Sequence, residues 1–258
     1  RFFVCNPLLM RKEHALFAKL GLAPVVKVDA RAPVTTPYDM MINQMVEESR
    51  GAGRHGSCGM GFGETLARQE SGPALTAQDL WQGAAHLRFK LDGIRNQWLP
   101  ARLAALGMTA VPPHWQDRIG SEAIIDKFIE DTVFFCDHAE LQAAGALSAV
   151  RKALVFEGAQ GLLLDQDRGA FPHVTRSNTG LRNVLSIVRE ETHIGRLNVH
   201  YITRIYLTRH GAGPLANELS AKPHSRIVDA TNIPNDWQGA LRFAPLDADL
   251  LAKSIAED

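Results

Sequence analysis

The sequence predicts an α/β fold: a largely parallel sheet with flanking helices. Short apolar runs that read as buried strands, residues 25–28, 153–156 and 199–207, alternate with longer segments of helical period. The helical segments carry start and stop signals at their ends. The run 153–156 also leads directly into an acidic residue and a glycine-rich turn, and ligands of parallel sheets sit at the carboxyl ends of strands. The chain has 258 residues, ample for a buried core, and reads as a single domain over 1–258.

The elements follow in order. Residues 1–5 are apolar, too few for a secretory signal, and read as a strand entered in mid-course. The first residue is Arg, so the expectation is that this is not the gene's own start. Residues 7–20 suit a helix, with Asn6 as cap, Pro7 at its first position and Gly21 past its end. A strand is expected at 25–28. Thr36-Pro37-Tyr38-Asp39 opens a second helix, capped by Thr36 with an acidic residue three positions on, running through Met41, Met45 and Val46 to about Arg50. The methionines are read as core filling. Residues 51–63 then hold six glycines in thirteen positions. A third helix is expected over 76–98. A fourth, over 122–138, follows Ser121 and puts Ile124, Ile125, Phe128, Ile129 and Val133 on one apolar face. Residues 217–236 look like a long polar loop, the kind that carries binding residues.

Composition excludes some functions. Lys plus Arg and Asp plus Glu both total 28, so there is no net charge to favour duplex DNA or an anionic membrane. No apolar run reaches the roughly 18 residues of a membrane-spanning helix. Cys5, Cys58 and Cys136 are odd in number and far apart, neither a disulfide framework nor a CxxC pair, which fits a reducing cytoplasmic setting. No His, Cys or carboxylate cluster has metal-ligand spacing.

Four motifs carry chemistry, each with a bland reading beside it. In Glu157-Gly158-Ala159-Gln160-Gly161, glycines let backbone N–H groups approach a ligand, and Gln160 offers donor and acceptor to a purine edge or a ribose; a strand-to-loop turn with a surface Gln is the alternative. The run 171–179, with Thr175, Arg176, Ser177, Asn178 and Thr179, is either a phosphate cradle or an elaborate helix cap. The loop 51–63 is no P-loop, yet its amides can form an anion nest with Ser57; a flexible connector is the alternative, and Cys58 reads as a small loop residue. Thr208-Arg209-His210-Gly211-Ala212-Gly213-Pro214 closes the last strand in a glycine-rich turn that specifies no chemistry alone, and His210 reads as an acid–base candidate or a structural histidine.

Taken together and in order, these motifs resemble the adenylosuccinate synthetase family. Residues 156–161 match its FEGAQG, and Leu163-Leu164-Asp165 the LLD that follows. Phe171-Pro172 and Val174-Thr175 through Ser177-Asn178-Thr179 match its YP-x-VTSSNT, and 208–214 its TRVGAGP. Residues 54–63 resemble its IGTTGRGIGP loop. The resemblance spans most of 6–247. It implies a GTP- and Mg²⁺-dependent ligase that joins IMP to L-aspartate, working as a cytoplasmic homodimer. In the reaction it implies, loss of the purine N1 proton makes the 6-oxygen attack the γ-phosphate of GTP, and aspartate then displaces that phosphate.

Residue by residue, the resemblance implies that Gln160 and Thr175 contact the purine nucleotide, that Ser57 and Cys58 stand at two phosphate-binding threonine positions, and that Arg209 joins them. Arg68 matches an arginine that reaches the nucleotide of the neighbouring subunit. The family's aspartate loop, ATTGRRRR, is replaced by 236–243, where Gly239 takes the loop glycine's place and Arg242 one arginine's. The family's GDEGKG loop, its acid histidine and its TKLD guanine-reading segment have no match, so the chain is expected to lack the terminal regions and no catalytic residue is assigned. The replaced loop and Cys58 leave two alternatives open: a 2-aminoadenylosuccinate synthetase acting on dGMP, and a nucleotide-binding module without ligase activity.

Overall fold

The computed structural model describes residues 2–150, 153–191, 194–229, 236–237 and 239–258. They form two compact units, one from Arg1–Ser49 with Gly59–Ala146, the other from Arg50–Cys58 with Leu147–Asp258.

The first unit is mainly helical. Helix α1 (Pro7–Lys19) starts where expected: the Asn6 side chain accepts from the backbone N–H of Leu8 and Leu9, at 3.1 and 3.4 Å. Strand β1 (Val26–Asp29) follows. Helix α2 (Pro37–Arg50) is capped by Thr36, whose N–H and hydroxyl both donate to Asp39, at 2.8 and 2.9 Å. Its inner face buries Tyr38, Met41, Ile42, Met45 and Val46, so both methionines do fill core.

Helix α3 (Phe62–Ser71) begins at Gly61, where the backbone has φ +72° and a Cβ would lie 2.6 Å from the Asp39 carbonyl carbon. Only glycine meets both demands. The expected helix over 76–98 is three elements. Thr76 and Asp79 cap α4 (Ala77–Leu80) reciprocally, and Gly83 at φ +87° interrupts the run before α5 (Ala84–Gly93). A π-helical turn, Ile94–Trp98, then carries the chain into α6 (Leu99–Ala105). Helices α7 (Pro113–Gly120) and α8 (Glu122–His138) follow, and α8 leads directly into β2 (Ala139–Gln142). The buried face of α8 is Ile125, Phe128, Thr132 and Phe135, while Val133 is exposed. The apolar face is thus rotated from the expected one, because it is set by packing against α1 and α5. Strands β1 and β2 pair in parallel, Val26 opposite Ala139 through Asp29 opposite Gln142.

The second unit is looser. A short 3₁₀ turn, Leu162–Leu164, and helix α9 (Arg182–Glu190) precede β3 (Tyr206–Arg209), and β4 (Arg242–Pro245) leads to α10 (Ala248–Ala256). Strands β3 and β4 pair antiparallel, Arg209 opposite Arg242, and Leu219 bridges to Phe243 on the other side.

The fold is therefore mixed α/β with a small parallel sheet, and the largely parallel sheet expected from sequence is not what the described residues show. Residues 153–156 have strand composition but pair with nothing among them, and Val155 is 91% exposed. Of the run 199–207 only its end enters β3, leaving Ile202 and Ile205 95% and 88% exposed. A strand exists only where a neighbour completes its ladder, so strand-like composition alone does not make one. Among the described residues, no helix is long and apolar enough to cross a membrane.

Candidate functional site

Seven of the eight residues singled out by sequence lie in the second unit, and the structure draws their segments together in two steps.

The first step concerns 157–179. Gln160 sits in the turn with φ +73°, a left-handed conformation that a non-glycine residue adopts only at a cost, and its side chain is exposed. The 3₁₀ turn that follows lies alongside the 175–179 run. The N–H of Thr175 donates to the Leu164 carbonyl at 2.8 Å, that of Gln166 to Ser177 at 3.0 Å, and the Thr179 hydroxyl to Gly161 at 3.1 Å. Asp165 organises the pairing. Its carboxylate is buried and accepts from the N–H of Asp167 at 2.9 Å and of Thr179 at 2.7 Å. Burial alone would raise its pKa. The two N–H donors, the nearby Arg168 charge and the Asn178 amide outweigh that, so the carboxyl is held below its usual range. Asp165 thus brings the Gln160 and Thr175 segments side by side.

The second step is centred on Gly211–Gly213. The Gly211 backbone, at φ +68°, lies so close to the 54–58 loop that a Cβ there would fall 2.4 Å from the His55 carbonyl oxygen. The N–H of Ala212 donates to that same oxygen at 3.0 Å. Opposite, the Arg209 guanidinium donates to the carbonyls of His173, at 2.6 Å, and Ala212, at 3.1 Å. The His55 and His173 rings meet edge to face with centroids 5.1 Å apart. Arg242, across the sheet from Arg209, donates to the carbonyls of Gly211 and Gly213 at 2.9 and 3.0 Å. Arg54 reaches towards 236–237, donating to the Asp236 carbonyl at 3.0 Å with its guanidinium 6.0 Å from the Trp237 ring.

The loop that holds Ser57 and Cys58, the segment that holds Thr175, and the two arginines Arg209 and Arg242 therefore converge on one glycine-rich turn. Arg209 is buried, and burial followed by the neighbouring charge of Arg242 lowers its pKa. Both guanidiniums hold this turn through its carbonyls, and their positive charge beside left-handed glycines is of the kind that favours an anion. Gly239 is exposed, and Cys58 is exposed with a free thiol. Both ring nitrogens of His210 and the Nδ1 of His173 are buried without a hydrogen-bond partner among the described residues.

The exception is Arg68. It lies on α3 in the first unit, 0% exposed, with Nε and Nη2 donating to the two oxygens of Asp39 at 2.8 and 2.9 Å, Nη1 to Pro73 at 2.9 Å and Nη2 also to Val34 at 2.7 Å. The guanidinium is fully enclosed, and four of its five N–H donors are engaged within the first unit, so it is not presented to the nucleotide of a neighbouring subunit. Its role here is to lock the start of α2 to α3.

Sequence reasoning missed two residues that matter to the geometry. Asp165 was read only as part of a motif, although an acidic residue after Leu-Leu-Leu at a tight turn is itself a signal for a carboxylate that caps backbone amides. Glu218 was read only as part of a polar loop. Its carboxylate grips Arg242 through two hydrogen bonds, Nε to Oε1 at 2.8 Å and a second from Nη2 to Oε2. Nothing in the sequence marks that pairing, because the two residues lie 24 positions apart.

The sequence model of the adenylosuccinate synthetase family matches residues 2–234. The adenylosuccinate synthetase of Acinetobacter baylyi is 31% identical over 232 residues, covering 84% of this chain and 48% of that protein. Those of Synechococcus sp. RCC307 and Parasynechococcus marenigrum are 30% and 32% identical over 234 and 209 residues, covering 88% and 79% of this chain. The chain spans about half the length of the curated relatives it matches: 48%, 50% and 45% for these three.

Proposed function

The chain belongs to the adenylosuccinate synthetase family, and on that premise we propose that its second unit is the purine-nucleotide cradle of a GTP-dependent ligase joining IMP to L-aspartate. The observation that carries the proposal is the convergence of the 54–58 loop, the 173–175 segment and the Arg209–Arg242 pair on Gly211–Gly213. A nucleotide phosphate is the ligand class that such cationic, amide-rich turns favour. In this reading Gln160 meets the purine edge or ribose, Thr175 and Ser57 offer hydroxyl donors to the phosphate, Cys58 lines the same loop, and Arg209 supplies positive charge from below. Gly239 and Arg242 stand where the amino-acid partner would approach.

What these residues do is bind and orient. Fixing the purine ring and phosphate lowers the entropic part of a barrier between three reactants. GTP supplies the phosphoryl group that activates the 6-oxygen. Among the described residues no three His, Cys, Asp or Glu side chains converge as a metal-ion site, and the proposal gives none of them a catalytic role. A homodimer in the cytoplasm belongs to the same proposal, without Arg68 as a shared-site residue.

One observation favours a second reading. Arg242, the arginine left in the substituted loop, already holds Glu218 and two carbonyls. A nucleotide-binding module without ligase activity would look like this. Titrating IMP and dGMP in parallel, with and without GTP·Mg²⁺, separates the readings. IMP binding with aspartate-dependent phosphate release supports the ligase, a preference for dGMP supports 2-aminoadenylosuccinate synthesis, and binding without turnover in the intact protein supports the module.

A further inference from the structure

A guanidinium has five N–H donors in a planar fork, and its Nε/Nη2 edge is the one that grips a carboxylate with two parallel bonds. In Arg242 that edge is taken by Glu218, Nε to Oε1 at 2.8 Å and Nη2 to Oε2. The Nη1 group is spent on the carbonyls of Gly211 and Gly213.

The grip is built into the backbone. Asn217 takes a left-handed turn at φ +57°, and the N–H of Leu219 donates to the Phe243 carbonyl at 2.8 Å, so Glu218 is delivered beside Arg242 by sheet pairing. The contact also lies in reach of solutes, with the Glu218 and Arg242 side chains 39% and 27% exposed. Each group favours the charged form of the other: hydrogen bonding to Arg242 lowers the Glu218 pKa, and hydrogen bonding to Glu218 raises that of Arg242. Arg209 offers no second fork, since its Nε and Nη2 already donate to the Ala212 and His173 carbonyls.

We propose that Glu218 sets selectivity at the amino-acid site: its carboxylate occupies the edge of Arg242 that a substrate carboxylate needs, so a dicarboxylic amino acid binds only by displacing it. This rests on reading Arg242 as the arginine of that site. Glu218 is then a specificity-determining residue, and its removal favours aspartate over its uncharged-side-chain analogue asparagine.

The test is calorimetric titration of L-aspartate and L-asparagine into the intact protein and its Glu218→Gln and Glu218→Ala variants, each with and without saturating IMP. The expected result is aspartate bound about fivefold more tightly by both variants, the scale of an exposed ion pair, with asparagine affinity and circular dichroism unchanged. Equal or weaker aspartate binding in the variants overturns the proposal, as does an equal gain for asparagine, or no aspartate binding by any form. Failure of IMP to bind overturns the nucleotide reading instead, and the comparison made without IMP still reports on Glu218.

Discussion

Asp165 shows how one side chain can hold two loop segments together. Its two N–H partners, from Asp167 and Thr179, sit two and fourteen residues away, so the carboxylate closes a turn and pins the far end of the 175–179 run at once. Replacing it with alanine leaves both amides without their acceptor, and the expected loss of stability is about 2–3 kcal/mol, read by chemical denaturation. The pH dependence has a definite sign. A carboxyl whose pKa is lowered in the fold contributes stability that is present above the ordinary aspartate range and lost as the pH falls through the folded value. Denaturation midpoints should therefore drop below about pH 4, and the drop should be smaller in Asp165→Asn. A flat acid limb in the parent protein contradicts this account of Asp165. Asp79, at the start of α4, has the same sign: burial would raise its pKa, but the Thr76 amide, His86 and Lys90 bring it down.

Among the elements, helix starts and the strand expected at 25–28 were legible, whereas the runs 153–156 and 199–205 and all strand pairing were not. The starts of α1, α2 and α4 are written within three residues of each cap, as Asn6, Thr36 with Asp39, and Thr76 with Asp79. The break at Gly83 is a local left-handed glycine that sequence reading missed, and the rotated face of α8 depends on packing against α1 and α5. Strand pairing is non-local throughout: β1 meets β2 across more than a hundred residues, and β3 meets β4 across more than thirty. The candidate site divides the same way. The motifs that hold Gln160 and Thr175 are contiguous and stand out in the sequence, whereas the Glu218–Arg242 grip and the burial of Arg68 arise only in three dimensions.

That burial yields a prediction for the joint between α2 and α3. Asp39 and Arg68 are both fully buried and bound to each other through two hydrogen bonds. Removing one partner strands the other's charge, which typically costs about 3–5 kcal/mol. Arg68→Met and Asp39→Asn should each destabilise the first unit by that order in urea denaturation. IMP affinity in whatever fraction stays folded should be unchanged. A loss of IMP affinity without a loss of stability would return Arg68 to the nucleotide site.

The chain divides into a mainly helical unit and a loop-rich unit, and the residues proposed to bind the nucleotide lie in the second. Assembly is a separate question from the cradle. The family-derived homodimer should appear in sedimentation velocity as a species of about twice 28.3 kDa, and a monomer at micromolar concentration would remove the homodimer from the proposal. Calorimetric titration of IMP into the protein and its Thr175→Ala variant decides whether the second unit holds a purine nucleotide, as proposed. Saturable binding by the parent is expected, with at least roughly tenfold weaker binding by the variant, the loss expected of a charge-assisted phosphate contact. No binding of IMP or dGMP by the folded protein, or equal binding by parent and variant, would contradict the proposal.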